Sequence, residues 1–230
     1  MPFPLHLLCE LLSELERNHT RSFSIQKTQD FDVRSLVGWF DKHDTAIPRL
    51  GSEAVAFLSC LFPERRPDRV FGLSKIQLER IVQQAQCLGS SRMKELQIWQ
   101  TRNGPDFATC VERVMAITDC EPRMGPKVTL QELDDVLDRI AAFSPFSSAD
   151  LREETERKYR QPCSSSDDLL ISLFRRLNSF EAKWLVRMLS KTTIRPLSQK
   201  DWRWADFIRF VESPPFSEFN PSCRKYPRGT

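Results

Sequence analysis

The sequence predicts an all-α fold: one irregular domain of many helices, with no repeat of fixed period. Apolar residues recur at three- and four-residue spacing along most of the chain, the period of a helix with one buried face. Only 7 glycines occur in 230 residues, and β-branched residues seldom alternate with polar ones, so strands have little support. Helix-start signals, a Ser or Thr followed three residues later by Gln or Glu, stand ahead of two of the apolar stripes.

Taken in order, Leu5, Leu8, Leu12 and Leu15 form the first stripe. Phe31, Leu36, Trp39 and Phe40 form the second, and Val55, Leu58, Leu61 and Phe62 the third. Pro63 and Pro67 then break the chain, because the residue before a proline is pushed out of the helical region. Ser74 to Gln77 reads as a capping box opening a helix with Leu78, Ile81, Val82 and Ala85, which stops near Gly89. Met93, Leu96 and Trp99 mark a short helix, and the Gly104-Pro105-Asp106 turn leads into Phe107, Val111, Val114 and Met115. Thr129 to Glu132 is the clearest capping box, ahead of Leu133, Val136, Leu137 and Ile140. Pro145, Pro162 and the serines at 164–166 punctuate the next stretch. Two closely spaced stripes come after it: Leu169, Leu170, Leu173, Phe174 and Leu177, then Phe180, Trp184, Leu185, Met188 and Leu189. A last element carries Trp202, Phe207 and Ile208. The domain is expected over residues 1–211, with a disordered, proline-containing tail over 212–230.

Apolar residues make up 40% of the chain and charged residues 28%, ordinary for a protein that buries a core. The net charge is +3 but unevenly placed. Residues 1–150 hold 18 Lys/Arg against 21 Asp/Glu, and residues 151–230 hold 16 against 10, so the rear is basic and suits a polyanion. The 7 cysteines are odd in number and none has C-x-x-C spacing. They read as reduced, mostly buried thiols, and a structural zinc site lacks its paired ligands. His6 and Cys9 share a helix face, but two ligands do not make a site. The apolar amino terminus lacks basic residues ahead of its leucines and is interrupted by Glu10, Glu14 and Glu16, so neither a signal peptide nor a membrane span is expected.

Four stretches, in order, resemble a known family. They are Phe71-Gly72-Leu73 after Arg66-Pro67-Asp68-Arg69; Gly104 to Ala108; Val128 to Leu137; and, most specific, Glu181-Ala182-Lys183-Trp184-Leu185-Val186-Arg187-Met188-Leu189. Together they resemble the amino-terminal DNA-binding domain of eukaryotic ATP-dependent DNA ligases over residues 5 to about 200, with the ligase IV branch the nearest. The resemblance implies a helical domain lying along the minor groove of nicked or broken duplex DNA, without sequence specificity, in nuclear double-strand break repair and recombination by end joining. End-joining repair proteins are the implied protein partners, and no membrane is.

Such binding uses basic side chains on phosphates and backbone amides at helix starts. Lys183, Arg187, Lys191 and Arg195 are spaced by four and would form one basic ridge if the helix runs through them, with Arg175 and Arg176 just upstream. The turn at Gly104 and the helix start at Thr129 would present free N–H groups. On this reading Arg187→Glu weakens DNA binding without unfolding the domain. Tryptophans 184 and 202 read as core, and Thr129 with Glu132 as a cap.

The sequence departs from the family where Thr192-Thr193-Ile194-Arg195-Pro196 replaces a basic, glycine-containing turn. Proline offers no N–H and lacks the freedom of glycine, which puts that turn's grip in doubt and suggests a divergent, fungal-type paralogue. No K-x-D-G motif occurs. The nucleotide-transferring core, which would hold ATP and Mg2+, is therefore expected to be absent from this chain. The chain alone has no expected catalytic residue, metal or cofactor, and should not seal nicks. The alternative is a helical protein-interaction scaffold, derived from a ligase domain, that has lost DNA binding.

Overall fold

The computed structural model describes residues 2–21, 25–43, 45–46, 52–119, 125–159 and 165–192. Ten α-helices run through these: α1 (Leu5–Arg21), α2 (Ile25–His43), α3 (Ser52–Leu61), α4 (Lys75–Gln86), α5 (Ser90–Leu96), α6 (Phe107–Ala116), α7 (Leu130–Ala142), α8 (Ala149–Lys158), α9 (Ser166–Phe174) and α10 (Ser179–Leu189). Among the described residues there is no strand, and the fold is all-α. Trp202, Phe207, Ile208, the boundary at 211 and the tail at 212–230 lie outside the described residues.

Leu5, Leu8, Leu12 and Leu15 share the buried face of α1, and Cys9 and Leu11 widen it. Two partners cover so broad a face: α2 and α10 both pack on α1. The approach to α1 is fixed by an antiparallel bridge between Pro4 and Thr129. Leu5 N–H donates to the Val128 carbonyl at 3.1 Å, and Leu130 N–H donates to the Phe3 carbonyl at 2.9 Å. The starts of α1 and α7 thus satisfy each other's orphan backbone groups.

An aromatic cluster joins the front of the chain. The Phe3 ring meets Trp39 at 6.1 Å and Phe57 at 5.6 Å, both edge-on, and Trp39 meets Phe40 at 5.4 Å. In α2, Leu36, Trp39 and Phe40 are buried as expected, whereas Phe31 is exposed. In α3 the inward face comprises Ala54, Phe57, Leu58 and Leu61, and Val55 points outward. Of the predicted stripe, Leu58, Leu61 and Phe62 are buried and only Val55 falls off it, because the small Ala54 packs in its place.

In α4, Leu78, Ile81, Val82 and Ala85 are buried as predicted. The helix stops at Cys87, which adopts the left-handed conformation with φ 48°, and Gly89 instead caps the start of α5. Met93 and Trp99 do not share one helix: α5 ends at Leu96 and a 3-10 turn, Gln97–Gln100, carries Trp99. Buried Glu79 pins that turn, accepting from Gln97 Nε2 at 2.5 Å, Trp99 Nε1 at 3.2 Å and Gln100 Nε2 at 3.2 Å.

α8 carries Leu151 as its one buried residue, so it has no stripe to find. Helix α10 is the opposite case. Ala182, Trp184, Leu185, Val186, Met188 and Leu189 are all buried, which places it deep in the core against α6 and α1. Cys9, Cys60 and Cys110 are buried free thiols and Cys87 is an exposed one; Cys120, Cys163 and Cys223 lie outside the described residues. Burial pushes the Cys9 and Cys60 thiols well above their ordinary range.

Candidate nucleic-acid interface

Lys183 and Arg187, the part of the predicted basic ridge that lies on α10, do not face open solvent. Lys183 and Arg187 share a face, as their spacing requires, but that face meets the acidic residues of α1 and α6. Lys183 Nζ lies 2.6 Å from Glu16 Oε2 and 3.0 Å from Glu112 Oε2. Arg187 reaches Glu16 Oε1 at 2.6 Å and Asp106 Oδ2 at 3.0 Å, and its guanidinium lies 4.8 Å from the Trp184 ring centroid. The Lys183 side chain is only 10% exposed and that of Arg187 14%. A helix that is apolar nearly all round is buried all round, and its few cations must find partners inside. Trp184, predicted as core, is buried and donates through Nε1 to Ser13 Oγ at 2.8 Å.

The ridge is also interrupted. Helix α10 ends at Leu189, and Lys191 follows in the left-handed conformation with φ 48°, so the four-residue spacing no longer describes a face. Lys191 Nζ donates to the Arg66 carbonyl at 2.7 Å, and burial lowers its pKa. It thereby joins a second charged network. Arg66 pairs with Asp68 at 2.7 Å, and nearly buried Arg69 pairs with Asp134 and Asp138 of α7, each at 2.6 Å. This network staples residues 66–69 to α7. Ile194, Arg195 and Pro196 lie outside the described residues.

Arg176 is engaged as well. Its guanidinium pairs with Glu132 and donates from Nη2 to the Pro126 carbonyl at 2.9 Å, tying the α9–α10 turn to the start of α7. Arg175 differs: it caps the end of α9, is exposed, and has no ion-pair partner among the described residues.

At the two expected amide sites, the N–H groups of Gly104, Leu130 and Glu132 are already engaged. Gly104 N–H donates to the Thr101 carbonyl at 3.0 Å. The glycine is required for close approach, since a Cβ there would lie 2.1 Å from the Ile98 carbonyl oxygen. At the start of α7, Leu130 N–H goes to Phe3, and Glu132 N–H donates to Thr129 Oγ1 at 3.3 Å. Both predicted capping boxes form only their first half. The Glu132 side chain turns to Arg176, and Gln77 donates from Nε2 to Asp167 at 2.8 Å instead of returning to Ser74. Complete boxes occur at Ser165 with Asp168 and at Asn178 with Glu181, where Asp or Glu stands three residues after Ser or Asn.

Carboxylates in these networks are tuned by their partners. Burial alone would raise Asp106, but its hydrogen bond from Thr109 and the Arg187 guanidinium hold it below the usual range. Asp68 behaves alike, with Arg66 outweighing burial. Burial pushes Asp134 up against the pull of Arg69.

Sequence reasoning passes over a different set of cations. Arg17 of α1 and Arg34 and Lys42 of α2 are exposed along a groove between these helices, floored by Trp39 and Phe180. The available signal is the eight-residue spacing of Arg34 and Lys42 with Gly38 between them.

No helix among the described residues is long and apolar enough to cross a membrane, and no group of three or more His, Cys, Asp or Glu among them is placed to hold a metal ion. The fold and its buried charge networks define an all-helical domain. The family model for the DNA ligase N terminus matches residues 4–200. The chain belongs to that family, and a ligase-associated DNA-binding role goes with it. No curated protein matches it.

Proposed function

We propose that the chain grips nicked or broken duplex DNA, with little sequence preference, for a ligase IV-like enzyme of double-strand break repair by end joining in the nucleus. The family match over residues 4–200 carries this reading, with the Glu181 to Leu189 stretch favouring the ligase IV branch and the turn at 192–196 a divergent, fungal-type paralogue. The predicted set of Arg175, Arg176, Lys183, Arg187, Lys191, Arg195, Gly104 and Thr129 narrows here. Arg175 meets phosphate directly and Arg195 extends the same basic rear. Lys183, Arg187 and Arg176 position helices, and Gly104 and Thr129 shape backbone. ATP and Mg2+ belong to a nucleotide-transferring core that this chain's residues do not supply.

Salt titration of binding to a nicked duplex tests the reading. Several phosphate contacts make affinity fall steeply with salt, by roughly 0.9 log units per contact per log unit of salt. Absence of binding at low salt overturns it.

A second reading, a helical scaffold that docks repair proteins and no longer grips DNA, draws on the ion-paired state of Lys183 and Arg187. Repair proteins retained on the chain after nuclease treatment, together with no DNA binding, would favour it.

A further inference from the structure

We infer that the groove between α1 and α2 is a second DNA-binding surface, taking the sugar–phosphate backbone of a duplex along the Arg34–Gly38–Lys42 face of α2. This rests on the DNA-binding reading above and adds a surface within residues 1–150, where acidic residues outnumber basic ones.

The groove has a volume of about 570 Å3. Arg34, Gly38 and Lys42 fall four residues apart on α2 and all line it, with Arg17 of α1 on the opposite wall. Eight residues of helix span about 12 Å at roughly 1.5 Å each. A DNA strand presents one charge per about 3.4 Å of duplex axis, so the two outer cations bracket roughly three phosphates. Gly38 lies between them, and a Cβ placed there would meet nothing within 4 Å. The face between the cations is therefore low and open, and a polymer backbone passes close to the helix.

The charges are placed for this. Arg34 and Lys42 are exposed and have no ion-pair partner among the described residues, unlike Lys183 and Arg187. Two carboxylates, Glu10 and Glu14, also line the groove. Glu14 is engaged, accepting from Ser35 Oγ at 2.8 Å, and Ser35 in turn accepts from Asn18 at 3.1 Å. Glu10 is exposed on the far wall.

An acidic peptide would satisfy the same cations, but a stable peptide complex needs apolar anchors. The lining offers only half-buried Phe180 beside Trp39, which is 6% exposed, and Phe31 and Val37, exposed on α2, do not line the groove. The observations therefore favour an extended polyanion over a peptide.

The test uses the full chain and a nicked duplex, with affinity followed between low and moderate salt. The double variant Arg34→Gln/Lys42→Gln should keep its thermal midpoint. It should bind about tenfold or more weakly at low salt, with the log–log salt slope smaller by about 1.8. Gly38→Arg should bind more tightly and steepen the slope by about 0.9. A wild-type chain that binds no duplex overturns the DNA reading and this inference with it. A wild-type chain that binds, alongside a double variant of unchanged affinity and slope, overturns this inference alone. So does a double variant that keeps DNA affinity but loses binding of a labelled glutamate-rich peptide.

Discussion

Glu16 and Arg187 lie 2.6 Å apart, joining the first helix of the chain to the last described one, and the other oxygen of the same carboxylate lies 2.6 Å from Lys183. One acidic residue thus holds two cations whose spacing suggests a surface for DNA. Removing one partner of a largely buried charged pair leaves the other uncompensated, at a cost of roughly 3–5 kcal/mol when fully buried.

Arg187→Glu is therefore expected to destabilise the domain, reversing the expectation that it would only weaken DNA binding. The new carboxylate would face both Glu16 and Asp106. Asp106 is half exposed, so the loss should be nearer to about 3 kcal/mol, seen as a fall in thermal midpoint of roughly 6–12 °C. An unchanged midpoint would show that the network contributes little.

Arg175→Glu should do the reverse. This exposed residue has no ion-pair partner among the described residues, so the midpoint should stay within about 1–2 °C. The salt slope of DNA binding should shrink by about 0.9. Equal binding by variant and wild type would remove Arg175 from the interface.

Gly104→Ala tests the close turn. Its Cβ would press on the Ile98 backbone, which cannot yield as a flexible side chain does. A loss of roughly 1–3 kcal/mol is expected, read from denaturant midpoints at unchanged m-value. Wild-type stability would show that the backbone relaxes freely.

Ser13→Ala probes the partner of Trp184. Without the hydroxyl the indole N–H, in a side chain only 2% exposed, loses its acceptor at 2.8 Å. Leaving such a donor unsatisfied costs about 1–3 kcal/mol. If Ser13→Ala melts with the wild type, water or another group must replace the hydroxyl.

Acid should weaken the fold through Asp106 and Asp68. Both carboxyls titrate below their ordinary range when folded, so the unfolded chain takes up protons first as pH falls. Their contribution is complete above the unfolded value, about 3.9, and is lost as pH drops through the folded one. Thermal midpoints between pH 5 and 2 should fall, and Asp106→Asn should flatten that fall. A variant with an unaltered pH profile would exclude Asp106 as a contributor.

The helices are legible where apolar residues of similar size repeat, as at Leu78, Ile81, Val82 and Ala85. Capping residues are legible in part, because Ser74 and Thr129 fix where a helix begins, while the later partners of Gln77 and Glu132 are tertiary. Helix α8 is not legible, since its polar surface buries only Leu151. The charged face of α10 reads correctly as one face but in the wrong direction. Four-residue spacing states that Lys183 and Arg187 point the same way, and nothing local states whether that way is solvent. The answer lies in Glu16, 167 residues earlier than Lys183, a contact that no window of sequence contains.

That separation bears on how the polypeptide comes off the ribosome. Ser13 leaves the exit tunnel early, yet its hydrogen-bond partner Trp184 is encoded 171 residues later. At roughly 5–20 residues per second, the leucine-rich front of the nascent chain waits about ten to thirty seconds for the helix that covers it. During that interval its apolar side must be shielded by α2 or by a chaperone, so the newborn protein is most prone to aggregate before α10 has been made.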